Sequence, residues 1–114
     1  LGAHHKPHAE PLTEFGAYRL DTRQRLLFKA DTPIALSDAE YHLLQVLAAN
    51  MGRPLSRDRL LDLTHGRGSA VTERSIDVLI LRLRRLLEQD PAAPRYIITV
   101  RGKGYLLTNG QARP

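Results

Sequence analysis

"ERSIDVLILRLRRLLEQD", residues 73–90, sets arginines at 74, 82, 84 and 85 in a run that is otherwise mostly aliphatic. At about 100° per residue, Ile76, Ile80, Leu83 and Leu87 share one helical face, with Leu79 and Leu86 at its edge, and that face is expected to be core. On the opposite side fall Arg74, Val78, Leu81 and Arg85, with Ser75 and Arg82 toward one flank and Asp77, Arg84 and Glu88 toward the other. Two aliphatics therefore stand among arginines where water is expected. An ordinary solvated face would carry opposite charges at helical spacing, and Asp77 with Arg84, or Arg84 with Glu88, would supply some of that. Thr72 offers an N-cap and Glu73 a first-turn carboxylate, so the spacing predicts a helix that begins there and ends before "DPAAP".

Working outward, "RYIITVRGKGYLLTN", residues 95–109, holds two β-prone runs around a glycine-bearing turn and reads as a hairpin. Upstream, "HGRGSAV", residues 65–71, has two glycines and no period, and reads as a loop. In "LSDAEYHLLQVLAAN", Ser37 and Glu40 have capping-box spacing, and Leu43, Leu44, Leu47 and Ala48 form a stripe. "GRP" at 52–54 ends that helix and leads to a shorter one capped by Ser56, with Leu60, Leu61 and Leu63. From Phe15 to Leu36, apolar runs broken by "DTRQ" and "ADTP" read as three short antiparallel strands. The order is strands, three helices, hairpin. A linker or disordered arm is expected over 1–13, one folded domain over 14–108 and a tail over 109–114.

The bulk composition narrows the function. The chain has 114 residues, 17 basic against 12 acidic, a net charge of +5 and a pI near 10.1. That balance favours a polyanionic partner. Between residues 74 and 105 there are seven basic side chains and three acidic, so most of the surplus lies in one third of the chain. Cysteine is absent, which excludes disulfides and thiolate metal ligands. No apolar run is long enough to suggest a membrane span, so the expectation is a cytoplasmic chain with no membrane partner. The first residue is Leu1 rather than Met, and the chain is expected to be a piece of a longer protein whose missing part carries the regulation.

A basic helix face followed by a basic hairpin suits duplex DNA. An exposed helix fits the major groove, where arginine reads guanine edges and small apolar groups touch thymine methyls, which gives Val78 and Leu81 a reason to be outside. A neighbouring hairpin would meet the backbone or the minor groove.

"PLSRDRLL", "ERSIDVLILRLRR", "DPAAPRYIITV" and "GKGY", in this order, resemble the DNA-binding effector domain of OmpR/PhoB-family response regulators, most closely its OmpR-like branch, over residues 14–108. The resemblance implies an α+β fold: a winged helix-turn-helix with an N-terminal antiparallel sheet, three helices and a C-terminal β-hairpin wing. It implies that the third helix enters the major groove, with Arg82 as leading base reader, Ser75 and Val78 nearby, and Arg74, Arg84 and Arg85 on the DNA backbone. In the wing, Thr99, Arg101, Lys103 and Tyr105 would approach phosphates and the minor groove. The 65–71 loop resembles the segment through which some members contact RNA polymerase, and His65 stands where relatives often carry an aromatic that touches a phosphate. The resemblance also implies a receiver domain ahead of this one, phosphorylated by a sensor kinase, and a tandem dimer on DNA. Leu79 and Leu81 depart from the pattern, since relatives often carry His or Gln at the first position and a polar residue at the second. Base preference therefore does not transfer from a relative.

Other functional classes find less support in the residues. Ser37, Ser56, Ser69, Ser75, His42 and His65 form no nucleophile motif, so neither catalysis nor a cofactor is expected. "GKGY" lacks the strand-to-helix setting of a nucleotide loop and reads as a turn. Asp77 reads as a structural partner and His42 as a satisfied or exposed side chain. His4, His5 and His8 fit a metal site or a plain tether, and no carboxylate completes the ligand set. A protein-docking winged helix, an RNA binder and a one-component regulator remain as alternatives. Against docking stands the positive strip; against RNA, the lack of an aromatic platform beyond Tyr96 and Tyr105.

Overall fold

The computed structural model describes residues 12–64 and 73–110. Its elements are strands β1 (Leu12–Phe15), β2 (Tyr18–Asp21), β3 (Leu26–Lys29) and β4 (Thr32–Ile34), helices α1 (Asp38–Ala49), α2 (Arg57–Thr64) and α3 (Glu73–Leu87), and a hairpin of β5 (Ile97–Val100) and β6 (Gly104–Leu107). The first four strands form an antiparallel meander, and β5 and β6 pair separately with Ile97 opposite Leu107. This is the expected winged helix-turn-helix order.

The N-terminal sheet has four strands where the sequence reading gave three, and β1 begins at Leu12, inside the stretch read as an arm. The one missed break is the two-residue turn of Gly16 and Ala17, and the break expected at "ADTP" is a turn of the same length. Gly16, at φ +61, turns the chain between Phe15 and Tyr18, and Ala30, at φ +55, does so between Lys29 and Thr32. Gly16 is also required by space, because a Cβ there would collide with the Tyr96 hydroxyl. Pro33 sits on the edge strand, where its missing N–H breaks no ladder.

Helix α1 begins with the reciprocal cap that its sequence announces: Glu40 N–H donates to Ser37 Oγ at 3.1 Å, and Ser37 N–H donates to Glu40 Oε1 at 2.9 Å. Ser56 Oγ similarly accepts from Arg59 N–H at 3.1 Å at the head of α2. Leu43, Leu44, Leu47 and Ala48 of α1 meet Leu60 of α2 and Ile76, Leu79, Ile80, Leu83 and Leu87 of α3 in one buried cluster. Leu20 and Leu27 close it from the sheet, and Ile97 and Leu107 from the hairpin. At roughly 1.5–3 kcal/mol for each fully buried large aliphatic, this cluster is the dominant force holding the three helices together.

The two sheets meet through aromatic rings. Tyr96 stands edge-on to Phe15 at 5.8 Å and to Tyr18 at 5.2 Å, so it is packed rather than offered to a base. Tyr18 Oη donates to the Leu87 carbonyl at 2.6 Å and satisfies an acceptor that the end of α3 leaves open. Burial raises the Tyr18 hydroxyl above its ordinary value, with Tyr96 and Glu88 adding to the shift.

Glu88, just past α3, is the one buried charged side chain among the described residues. Its carboxylate accepts backbone N–H groups from Arg95 at 2.7 Å, Tyr96 at 2.9 Å and Ile97 at 2.9 Å. One carboxylate thus fixes both the exit of α3 and the entry of β5.

Candidate nucleic-acid interface

Helix α3 has 15 residues, so it is about 22 Å long, and its outward face reads as the sequence implied. Val78 is 43% exposed and Leu81 is 50% exposed, far above the core side of the same helix. Arg74, Arg82 and Arg85 are exposed beside them. Arg82 and Arg85 enter no ion pair among the described residues, and Ser75 is half-buried on the same flank as Arg82. An unpaired guanidinium held on a rigid helix keeps all its donors for an outside acceptor. Leu86, expected at the core edge, is 37% exposed at the far end of that flank.

The other flank is locked inward. Arg84 donates through Nε at 3.0 Å and Nη2 at 2.8 Å to the carbonyl of Ile97, and through Nη2 at 2.8 Å to Thr99 Oγ1. It forms no pair with Asp77 or Glu88 among the described residues, because β5 comes within reach of its guanidinium and both carboxylates are engaged elsewhere. Asp77 Oδ1 accepts from Arg57 Nε at 2.8 Å and from Tyr105 Oη at 2.7 Å. Tyr105 is buried, and its ring lies 5.8 Å from the Arg84 guanidinium carbon. These contacts give Arg84, Thr99 and Tyr105 an internal use beside the DNA contacts expected of them.

The electrostatics follow from the contacts. Burial pushes the Asp77 carboxyl up, but the hydrogen bonds from Arg57 and Tyr105, with the charges of Arg57 and Arg74, outweigh it and hold the group below the ordinary aspartate value. Burial raises the Tyr105 hydroxyl, and its bond to Asp77 raises it further. Arg57 is raised by the same partnership. At neutral pH Asp77 is therefore a carboxylate and Arg57 a cation, and Tyr105 is a neutral hydroxyl that donates to Asp77.

The wing is short and attached at its base. Leu55 N–H donates to the Tyr105 carbonyl at 2.8 Å, and Tyr105 N–H donates to the Leu55 carbonyl at 3.0 Å. Gly104, at φ +127, permits this approach, since a Cβ would overlap the Leu55 carbonyl. Beyond that bridge only Arg101, Gly102 and Lys103 project, closed by Lys103 N–H on the Val100 carbonyl at 2.9 Å. Arg101 and Lys103 are exposed and border a groove of about 440 Å³ that runs to Ser56, Arg57 and Asp58 at the head of α2. Sequence reasoning missed Arg57 and Glu88 as organisers of this region, because each acts on partners remote in the chain and neither stands in a local pattern.

The expected loop over 65–71, His65 within it and the Thr72 cap lie outside the described residues. The described residues contain no group of three or more His, Cys, Asp or Glu side chains arranged to hold a metal ion. No described helix is long and apolar enough to cross a membrane.

A family model described as "Transcriptional regulatory protein, C terminal" matches residues 31–107. The chain belongs to this family. Within it, the transcriptional regulatory protein AruR of Pseudomonas aeruginosa is 45% identical over 103 residues, covering 90% of this chain and 42% of AruR. The regulatory protein VirG of Agrobacterium tumefaciens is 45% identical over 92 residues, covering 80% of this chain and 34% of VirG. The chain spans less than half the length of these relatives. Among solved structures, the RstA DNA-binding domain of Klebsiella pneumoniae in complex with the RstA box superposes with a TM-score of 0.78 at 35% identity, over 88% of this chain and 99% of that one. The response regulator DrrB of Thermotoga maritima, an OmpR/PhoB homolog, gives a TM-score of 0.79 at 34% identity, over 87% of this chain and 45% of DrrB. The winged-helix effector domain of the OmpR/PhoB type is thus the fold of this transcriptional-regulator domain.

Proposed function

We propose that the chain binds double-stranded DNA sequence-specifically, as the effector domain of a two-component response regulator that controls transcription. The observation that carries this reading is the outward face of α3, where Arg82 and Arg85, with no ion pair among the described residues, stand beside exposed Val78 and Leu81. Arginine next to small apolar groups on a rigid helix is the chemistry that reads guanine edges and thymine methyls in a major groove. The wing adds the exposed cations Arg101 and Lys103 for a neighbouring backbone or minor groove. The complex of the RstA domain with its DNA box supports the same assignment by similarity.

In this reading Arg82 is the principal base reader, with Val78 and Ser75 beside it. Arg74 and Arg85 take phosphates flanking α3, and Arg101 and Lys103 take those under the wing. The same reading places the protein in the cytoplasm and assigns it a receiver domain, a sensor kinase that phosphorylates that domain, and a tandem dimer on a direct repeat. It gives the 65–71 loop, with His65, a contact with RNA polymerase. Selection of bound duplexes from a random pool tests the core of the proposal. Enrichment of one short motif is the expected result, and recovery of unselected sequence contradicts it.

A further inference from the structure

Besides the apolar packing around Ile97 and Leu107, α3 reaches the wing through two charged side chains. Asp77 and Arg84 are seven residues apart, two turns, so they project from the same flank of the helix toward the hairpin. Arg84 holds β5 through the Ile97 carbonyl and the Thr99 hydroxyl. Asp77 holds β6 through the Tyr105 hydroxyl and, with the same oxygen, holds Arg57 at the head of α2. Thr99 and Tyr105 are cross-strand partners, so the two grips close on one rung of the hairpin. Two residues beyond that rung stand Arg101 and Lys103, the cations at the wing tip.

We infer that Asp77 and Arg84 are positioning residues that lock the wing to the recognition helix, so that Arg101 and Lys103 reach DNA already oriented rather than ordering themselves on it. The inference rests on the DNA-binding reading and names the device that couples its two halves. A two-stranded hairpin is marginal alone in water, and its exposed tip would otherwise sample many orientations. The ordering cost of each side chain immobilised on binding is of the size that changes affinity several-fold. The core and the Leu55–Tyr105 backbone bridge attach the wing at its base, and the Asp77 and Arg84 grips add a side-chain hold from the helix, which removes part of that cost before binding.

A positioning role and a direct phosphate contact make opposite predictions in a mutant cycle. Asp77→Asn is expected to weaken duplex binding about three- to tenfold in the wild-type background, the range set by ordering a few side chains. In an Arg101→Ala/Lys103→Ala background the same change is expected to cost almost nothing, since there are no wing cations left to orient. Equal losses in both backgrounds would overturn the inference, as would no loss in either. Tyr105→Phe, which removes one hydroxyl and keeps the ring, repeats the test if the aspartate variant melts at the assay temperature. Amide relaxation of Gly102 and Lys103 in the free protein supplies a readout independent of DNA. Faster motion of the wing tip in Asp77→Asn is expected, and an unchanged tip contradicts the clamp. A wild-type chain that binds no duplex, with a wing that still loosens in the variant, refutes the DNA reading and leaves the clamp standing.

Discussion

Arg82 and Arg84 lie two residues apart on one helix and have opposite fates. Arg82 is exposed and unpaired among the described residues, while Arg84 places two nitrogens on a backbone carbonyl and a hydroxyl of the wing. The same contrast runs through the carboxylates and wing residues: Asp77 and Glu88 are spent on internal donors, and Tyr105 is buried, whereas Lys103, two positions from Tyr105, is exposed. Charge in this domain therefore has two separate jobs. One set is engaged between helix and hairpin, and the other is exposed and proposed to meet a polyanion. Net charge does not distinguish them; only the partner of each group does.

The contrast can be broken most severely at Glu88. Glu88→Ala leaves three backbone N–H groups without their acceptor, and a loss of about 3 kcal/mol or more in unfolding free energy is expected from urea titration. A change within error would mean that water replaces the carboxylate and that the junction between α3 and β5 is looser than described. Next comes Arg82→Ala. It should leave unfolding unchanged and remove about 1–3 kcal/mol of binding to the selected duplex, with a smaller loss on a scrambled one. Equal loss on both duplexes would demote it from base reader to phosphate contact.

Arg84→Ala sharpens the comparison from the locked side. A loss of about 1–2 kcal/mol in stability is expected from its hydrogen bonds to Ile97 and Thr99, with the dependence of binding on salt unaltered. A flatter dependence would show that Arg84 also neutralises a phosphate. Lys103→Ala should do the reverse, leaving stability alone and reducing the salt slope by about 0.9, the value for one phosphate released from a duplex.

The smallest effect is the response to acid. The Asp77 carboxyl is held below its ordinary value in the folded chain, so it binds protons more weakly there than when unfolded. Its contribution is complete above the unfolded aspartate range and is lost as pH falls through the lower folded value. Amide shifts of Tyr105 and Gly104 are expected to hold steady on acidification until the ordinary aspartate range has been passed. A transition at or above that range would show that Arg57 and Tyr105 do not stabilise the carboxylate.

Much of this organisation is legible in the residues. The 3.6-residue period of 76, 80, 83 and 87 gave the core face of α3, and the Ser37–Glu40 spacing gave the start of α1, because both are local patterns that packing reinforced. The strand count was not legible, since Gly16 and Ala17 turn the chain in two residues without one of the usual turn dipeptides. The division of the arginines was not legible either. Arg84 finds its acceptors 13 and 15 residues away, and Arg57 finds Asp77 20 residues away, so only the folded chain tells which cations remain free.

The proposed grip on a DNA duplex rests on the cations of α3 and the wing tip that have no ion pair among the described residues. Its most direct measurement is the affinity of the wild-type chain for its selected duplex across a salt series. A linear fall of log K with log salt is expected, with a slope of about −0.9 for each phosphate neutralised. An affinity that ignores salt would contradict it.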